Sequence, residues 1–288
     1  MQMLTMTVER IVIEHYRHGA LEEALLKGLA AAGKDPDKIT ADDLAPADEF
    51  HSGGRQATVD FAAAFGPKSG MHLLDIGSGL GGPSRYFAVH HGCRVTGIDL
   101  SDEFVAVAAS LSRRVGVADR VDYRQASATQ LPFADHSFDG AYMLHVGMNI
   151  SDKAKLFSEV HRVLKPGGTF GIYDAMRVKD GPFTYPVPWA SGDEANFIAT
   201  PATYRALLTA AGFEVVKQRD RSQFVLEYSR TRLPKMRGGP PPLGIHIVQG
   251  PATSQKLGNM LALLESGTIA PVELICRRGE VNSHAGNV

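Results

Sequence analysis

The stretch LLDIGSGLGG, residues 73–82, joins an apolar run to a cluster of glycines. Helix-forming residues follow from Pro83 to His90, and a β-branched run from Val95 to Ile98 ends at Asp99. These patterns predict a strand, a tight turn, a helix and a second strand. A ligand can lie against bare backbone in such a turn, because glycine adopts positive φ without strain.

Two carboxylates flank this unit, Asp75 before the glycines and Asp99 at the tip of the second strand. The Asp99 position suits hydrogen bonds from ribose hydroxyls, so the unit predicts an adenosine ligand. Gly77, Gly79 and Gly82 also satisfy the dinucleotide fingerprint G-x-G-x-x-G, which leaves a nicotinamide cofactor open. Asp75 instead favours the positively charged end of S-adenosylmethionine, because its carboxylate would repel a pyrophosphate at the helix N-terminus. An aspartate that caps the glycine turn is the alternative interpretation of Asp75.

The composition is typical of a soluble globular protein, with 288 residues, 44% hydrophobic residues and a net charge of -1. It contains no basic run that would attract nucleic acid, so we expect a small-molecule partner. The two cysteines, Cys93 and Cys276, are expected to be buried thiols rather than a disulfide or metal site. Without an apolar run of about 18 residues or a leader pattern, we expect no membrane span and a cytoplasmic location. The oligomeric state is left open, with a homodimer as one option.

Strands and helices alternate along most of the chain. The predicted elements after Asp99 are helices at 101–114, 152–164, 201–212, 219–237 and 253–265, and strands at 121–125, 140–145, 169–173, 213–217 and 272–277. Such alternation predicts an α/β fold with a doubly wound parallel sheet.

The domain prediction divides the chain into three parts. Residues 1–66 form an N-terminal helical cap, with a helical pattern over 7–31 and a loop with short turns over 34–47. Residues 67–278 form the cofactor-binding domain, with insertions at 177–200 and 221–252, and 279–288 form a flexible tail. The first insertion carries Tyr185 and Trp189 among several prolines, which predicts a pocket wall; a loop packed on the side of the domain is the alternative.

Two histidines are candidate general bases. His145 ends the predicted fourth strand at the edge of the cofactor cleft, and packing against the cofactor is its alternative role. His51 is the second candidate and begins the segment His51-Ser-Gly-Gly-Arg55. The glycine amides and the arginine of that segment suit a carboxylate, although a plain loop into a helix explains the same residues.

Four ordered blocks, at 74–82, 95–100, 131–139 and 162–168, resemble one family. The chain resembles the class I S-adenosylmethionine-dependent methyltransferases of small molecules (methyltransferase type 11), including sarcosine and dimethylglycine, ubiquinone and sterol methyltransferases. The resemblance implies a Rossmann-like seven-stranded sheet whose last strand is antiparallel. It also implies transfer of a methyl group to an O, N or C nucleophile by in-line displacement, with S-adenosylhomocysteine as product and no metal. A dehydrogenase using NAD and a non-catalytic binding protein on the same fold are the alternatives.

The resemblance further assigns roles to individual positions. The residues implied for the cofactor are Asp75, Gly77, Ser78, Gly79 and Gly81 at the methionine part, Asp99 at the ribose, Leu100 at the adenine, and Ser127, Ala128 and His145 beside it. The family usually has an aspartate where Ser127 stands, and a hydroxyl can still accept the bond from the adenine amino group. The residues predicted for the substrate pocket are Arg55, Met148, Tyr185 and Trp189.

Overall fold

The computed structural model describes residues 7–232 and 239–279. Its helices are α1 (Val8–His15), α2 (Leu21–Ala31), α3 (Ala41–Asp48), α4 (Gly54–Phe65), α5 (Gly82–His91), α6 (Asp102–Val115), α7 (Lys153–Val163), α8 (Pro201–Ala210), α9 (Ser222–Arg232), α10 (His246–Gln249) and α11 (Thr253–Glu265). Its strands are β1 (His72–Ile76), β2 (Arg94–Asp99), β3 (Val121–Gln125), β4 (Phe138–Leu144), β5 (Leu164–Arg177), β6 (Phe213–Asp220) and β7 (Ile269–Arg278). Short 3₁₀ turns lie at Gly147–Asn149 and Asp193–Ala195.

The seven strands form one mixed sheet in the order β3-β2-β1-β4-β5-β7-β6. β1 pairs in parallel with β2 and β4, whereas β7 runs antiparallel between β5 and β6. The predicted seven-stranded, Rossmann-like sheet with an antiparallel last strand is therefore confirmed. The parallel strands end at one edge, so the segments that follow β1, β2 and β4 meet there.

Helices cover both faces of the sheet. On one face α7 and α8 bury Phe157 and Tyr204, and on the other α4 and α5 bury Phe61 and Phe87. A sheet with strands buried on both sides is expected to be rich in apolar residues throughout its length, as β1 and β4 are. The carboxyl edge is the part of the sheet that remains available to a ligand.

Residues 34–47 are only in part the loop that the sequence predicts, because α3 occupies Ala41–Asp48. A capping box starts this helix, in which the hydroxyl of Thr40 accepts from the Asp43 amide and the Asp43 carboxylate accepts from the Thr40 amide. Pro46 removes one helical hydrogen bond, but Leu44 is fully buried against the core. Burial in the tertiary structure outweighs the local cost of the proline. Local helix propensity alone therefore does not predict α3.

Several other boundaries differ from the prediction. β5 runs over 164–177 rather than 169–173. Antiparallel pairing with β7 extends it to Arg177, and Leu164 at its start pairs with Phe138 of β4. The helix predicted over 219–237 begins only at Ser222. Residues 219 and 220 belong to β6 instead. Residues 233–237 of that helix, and the predicted tail after 279, lie outside the described residues.

Both cysteines are buried, Cys93 just before β2 and Cys276 within β7. Across residues 7–232 and 239–279 we find no group of His, Cys, Asp and Glu side chains spaced to hold a metal ion. No helix in the same part of the chain is long and apolar enough to cross a membrane.

Candidate active site

A cavity of about 820 Å³ opens at the carboxyl edge of the sheet. Its floor is formed by segments after β1, β2, β3 and β4, and its roof by α1, residues 42–55, α9, residues 241–249 and α11. This volume lies high in the range of about 300–1,000 Å³ that is usual for small-molecule sites. The cavity has room for a nucleoside cofactor and a second molecule.

The glycine turn after β1 presents bare backbone to the cavity. Gly77 and Gly79 have φ of 68° and 52°, a region that side chains rarely adopt. A Cβ atom at Gly77 would collide with Val146, and one at Gly79 would lie 2.8 Å from the ring of Phe50. The turn, which we call the cradle, therefore requires glycine at both positions, because a side chain there would meet Val146 or Phe50.

Ser78 adds an unused polar atom to this cradle. Its side chain is buried, it lines the cavity, and its hydroxyl has no hydrogen-bond partner among the described residues. Buried polar groups are normally paired, so this unpaired hydroxyl is an exception at the turn.

The two flanking aspartates both line the cavity, and both already hold hydrogen bonds. Asp75 accepts from the Ser84 hydroxyl at 2.6 Å, and burial raises the pKa of Asp75 to about 7. Asp99 accepts from the Gly79 amide at 2.9 Å and from the Ser101 amide at 3.0 Å. Burial raises the pKa of Asp99 as well. A carboxylate offers about four acceptor positions, so Asp99 can bond two amides and still accept from a ligand.

One end of the cavity lies between β2 and β3. Leu100, Ser127 and Ala128, which the resemblance implies for the adenine, line the cavity here. The Ala126 amide donates to the Asp99 carbonyl oxygen at 3.0 Å, which holds the loop after β3 beside the tip of β2. The Ser127 hydroxyl lies 2.5 Å from a carboxylate oxygen of Glu9, a residue that the sequence analysis does not single out.

His145 follows β4 directly and lines the cavity. Its φ of 58° is unusual for a residue with a side chain, and such strain is concentrated at functional sites. The ring nitrogen Nε2 is buried and has no hydrogen-bond partner in the described part of the chain. Burial lowers the pKa of His145 to about 3, so the ring is neutral at physiological pH.

His51 lines the same cavity, with its ring centroid 6.2 Å from that of His145. Its Nε2 lies 3.1 Å from the Thr58 hydroxyl and 3.6 Å from a carboxylate oxygen of Glu49. Burial lowers the pKa of His51 to about 4. The structure thus brings both predicted bases together, and His145 is the one whose nitrogen is unused.

Arg55 does not form the carboxylate site that its sequence context predicts. Its guanidinium donates to Glu49 and Asp42, each at 2.7 Å, and to the carbonyl oxygen of Ala41 at 3.0 Å. The Gly54 amide is also used, because it donates to the carbonyl oxygen of His51. Arg55 lines the cavity as part of a paired network and not as a free cation.

An apolar wall faces the glycine turn across the cavity. Met148 and Trp189, both predicted for the substrate pocket, lie in this wall and are almost fully buried. Val225 of α9 and Met260 of α11 complete it, and they pack in the same cluster as Trp189. The sequence analysis does not identify these last two, since only the tertiary fold brings α9 and α11 to the sheet edge.

Two predicted site residues lie outside the cavity lining. Tyr185 donates its hydroxyl to Asp193 at 2.6 Å and accepts from Asn196 at 2.7 Å, so it braces the insertion from outside. Gly81 caps the start of α5 with φ of 78°, and a Cβ atom there would collide with the Tyr123 hydroxyl. Both residues therefore have structural roles, and the ligand contacts predicted for Tyr185 and Gly81 stay predictions.

A family model described as a methyltransferase domain matches residues 74–172. An O-methyltransferase of Pyrenophora dematioidea is 30% identical over 185 residues, which cover 62% of this chain and 68% of that protein. The chain spans 29–48% of the length of five other curated relatives, four of which are sterol 24-C-methyltransferases.

Two solved structures share the fold. Phosphoethanolamine N-methyltransferase 2 of Haemonchus contortus, solved with S-adenosylhomocysteine, matches with a TM-score of 0.73 and 19% identity, over 96% of this chain and 61% of that chain. The cyclase SpnF matches with a TM-score of 0.67 and 24% identity, over 95% of this chain and 97% of that chain. At these identities the likeness establishes the fold, and chemistry has to be argued from the site.

Proposed function

Because the chain belongs to the class I S-adenosylmethionine-dependent methyltransferases, we propose that it transfers a methyl group from S-adenosylmethionine to an apolar small molecule. The single observation that carries the proposal is the division of one cavity into a bare-backbone cradle and an apolar wall. Each half fits one of the two reactants that such a transfer needs.

The cradle fits the cofactor. Gly77 and Gly79 line the cavity with positive φ and have no room for a Cβ atom, and the hydroxyl of the buried Ser78 between them has no partner among the described residues. Asp99 would hold the ribose, and Leu100 with Ser127 would contact the base. When bound, the cofactor supplies a methyl group on a positively charged sulfur.

The wall fits an acceptor with a large apolar part. Met148, Trp189, Val225 and Met260 offer aliphatic and aromatic surface, and apolar contact is the main source of affinity in such sites. The charge of Arg55 is already paired with the carboxylates of Glu49 and Asp42, which weakens its attraction for an anionic substrate. These contacts support an uncharged acceptor over an amino acid or a phosphate ester.

The protein contributes positioning and a base. Holding the nucleophile in line with the bond that breaks contributes as much as about 7–11 kcal/mol. His145 would take the proton from a hydroxyl acceptor, since the residue lines the cavity and its Nε2 has no hydrogen-bond partner among the described residues. We also propose that residues before 67 act as the cap, because α1 and residues 42–55 roof the cavity.

A binding experiment tests the cofactor. We expect calorimetry to show saturable binding of S-adenosylhomocysteine by the full chain and none of NAD. Binding of NAD alone would replace the proposal with the dehydrogenase, and binding of neither would favour a protein without this cofactor.

An activity experiment tests the reaction and the acceptor. With methyl-labelled S-adenosylmethionine and a metabolite extract, we expect label in the organic-soluble fraction. His145→Gln should lower the rate about 100- to 10,000-fold, the usual contribution of a general base. The control is His90→Gln, whose side chain is 40% exposed at the end of α5. Label confined to water-soluble anions would refute the apolar acceptor, and cofactor binding without any transfer would favour another chemistry on this fold, as in the cyclase.

A further inference from the structure

Helix α1 turns one face toward the end of the cavity that lies between β2 and β3. Val8, Glu9, Val12 and Tyr16 all line it, at the spacing that places residues on one side of a helix. Three of these residues are apolar or aromatic and cover the site. Glu9 is the charged residue among them, which calls for an explanation.

The Glu9 carboxylate is directed at the loop after β3. One of its oxygens lies 2.5 Å from the Ser127 hydroxyl, and the Ser127 oxygen in turn accepts from the Thr129 amide at 3.2 Å. Ser127 is therefore the donor in its hydrogen bond with Glu9. The Glu9 carboxylate is the acceptor, and it has further acceptor positions at this end of the cavity. The loop lies beside the tip of β2, where Asp99 ends the strand.

Helix α1, which carries Glu9, is anchored at its C-terminal end. Tyr16, just after the helix, donates to Asn149 at 3.3 Å, and His15 contacts the Pro188 carbonyl oxygen at 3.1 Å. The connection to α2 is fixed by Glu103, which accepts from the amides of His18 and Leu21. The helix therefore has a defined position over the cavity, and with it the carboxylate.

We propose that Glu9 reads the 6-amino group of the adenine, so that the cap supplies a charged acceptor at this end of the cavity. The inference rests on the proposed function, which places the ribose at Asp99 and hence the base between Leu100 and Ser127. An ionised carboxylate is only an acceptor, so it suits an amino group and opposes a carbonyl oxygen. Glu9 is then a specificity-determining residue for the cofactor.

The test compares S-adenosylhomocysteine with S-inosylhomocysteine, in which a carbonyl oxygen replaces the 6-amino group. Calorimetry on the full chain should show that the wild type prefers the adenine compound about 10- to 100-fold, the loss expected for one hydrogen bond to a charged group. Glu9→Gln should reduce that preference to within about threefold, because the amide can donate as well as accept. Glu9 is exposed, so the variant should fold, and circular dichroism checks this.

The matched control is Glu14→Gln on the same helix, where Glu14 pairs with Arg17 and does not line the cavity. This variant should keep the full preference of the wild type. A Glu9→Gln protein that still prefers the adenine compound as strongly as the wild type overturns the inference and leaves the proposed function standing. An equal loss in Glu14→Gln also overturns it, since the effect would then reflect net charge. Failure of the wild type to bind either compound removes the proposed function and this inference together.

Discussion

Replacing Asp99 by asparagine tests the cofactor cradle most directly. Asp99 uses its two carboxylate oxygens separately, one for the Gly79 amide at 2.9 Å and one for the Ser101 amide at 3.0 Å. Asparagine has a single carbonyl oxygen, so only one of these amides keeps its acceptor and the other faces an NH₂ group. The variant therefore perturbs both the turn and the proposed ribose site.

The two effects have separate magnitudes. Leaving one buried amide without an acceptor costs about 1–3 kcal/mol, which lowers the free energy of unfolding. Hydrogen bonds from ribose hydroxyls to an ionised carboxylate contribute about 1.5–3 kcal/mol, so their loss weakens S-adenosylhomocysteine binding about 10- to 150-fold. A domain with about 5–15 kcal/mol of stability should remain folded after this change.

Calorimetry measures the dissociation constant, and urea unfolding under the same conditions measures the stability. The matched control is Asp102→Asn. Asp102 is the first residue of α6, and its exposed side chain accepts a hydrogen bond from the Glu103 amide. We expect the control to bind like the wild type. A folded Asp99→Asn protein with unchanged affinity for S-adenosylhomocysteine would refute the placement of the ribose at Asp99.

Three further predictions follow from buried groups. Arg85→Met should lower the free energy of unfolding in urea by about 3–5 kcal/mol, because Asp48 stays buried and loses the guanidinium that lies 2.7 Å away. A loss below about 1 kcal/mol, the size expected for a surface ion pair, would contradict this. The free energy of unfolding of His145→Gln, relative to that of the wild type, should rise by about 3 kcal/mol as the pH falls from 7 to 4. The folded pKa of His145 is about 3, so only the unfolded wild type takes up a proton there, and a pH-independent difference would contradict the burial of the ring. Gly77→Ala should cost about 1–3 kcal/mol of backbone strain and weaken cofactor binding through the collision with Val146. An unchanged affinity for S-adenosylhomocysteine in calorimetry would show that the cofactor does not contact this turn.

Local chemistry explains what the sequence predicted well. The unit from β1 to β2 follows from apolar runs, glycines with positive φ and a terminal aspartate, all within 30 residues of one another. Such signals are short-range, so these elements can be predicted without knowledge of the tertiary fold. α11, which spans Thr253–Glu265 as predicted, is another element of this kind.

The parts that the sequence missed depend on distant contacts. Glu9 meets Ser127 across 118 positions of the chain, and the helical pattern around Glu9 indicates only that α1 covers something. Arg55 illustrates the opposite error, because nearby glycines suggested an anion site. Its partners Glu49 and Asp42 stand close by in the sequence, but their pairing with Arg55 depends on α3, which was predicted as loop.

Trp189 is the single tryptophan of the chain, and only 1% of its surface is exposed. Its indole donates to Asn196 at 3.0 Å and forms part of the wall proposed for the acceptor. Fluorescence excited selectively in tryptophan therefore comes from one ring beside the proposed acceptor site. The emission maximum and intensity should respond to compounds that enter the apolar half, so unlabelled acceptor candidates can be screened by fluorescence titration before any product is identified.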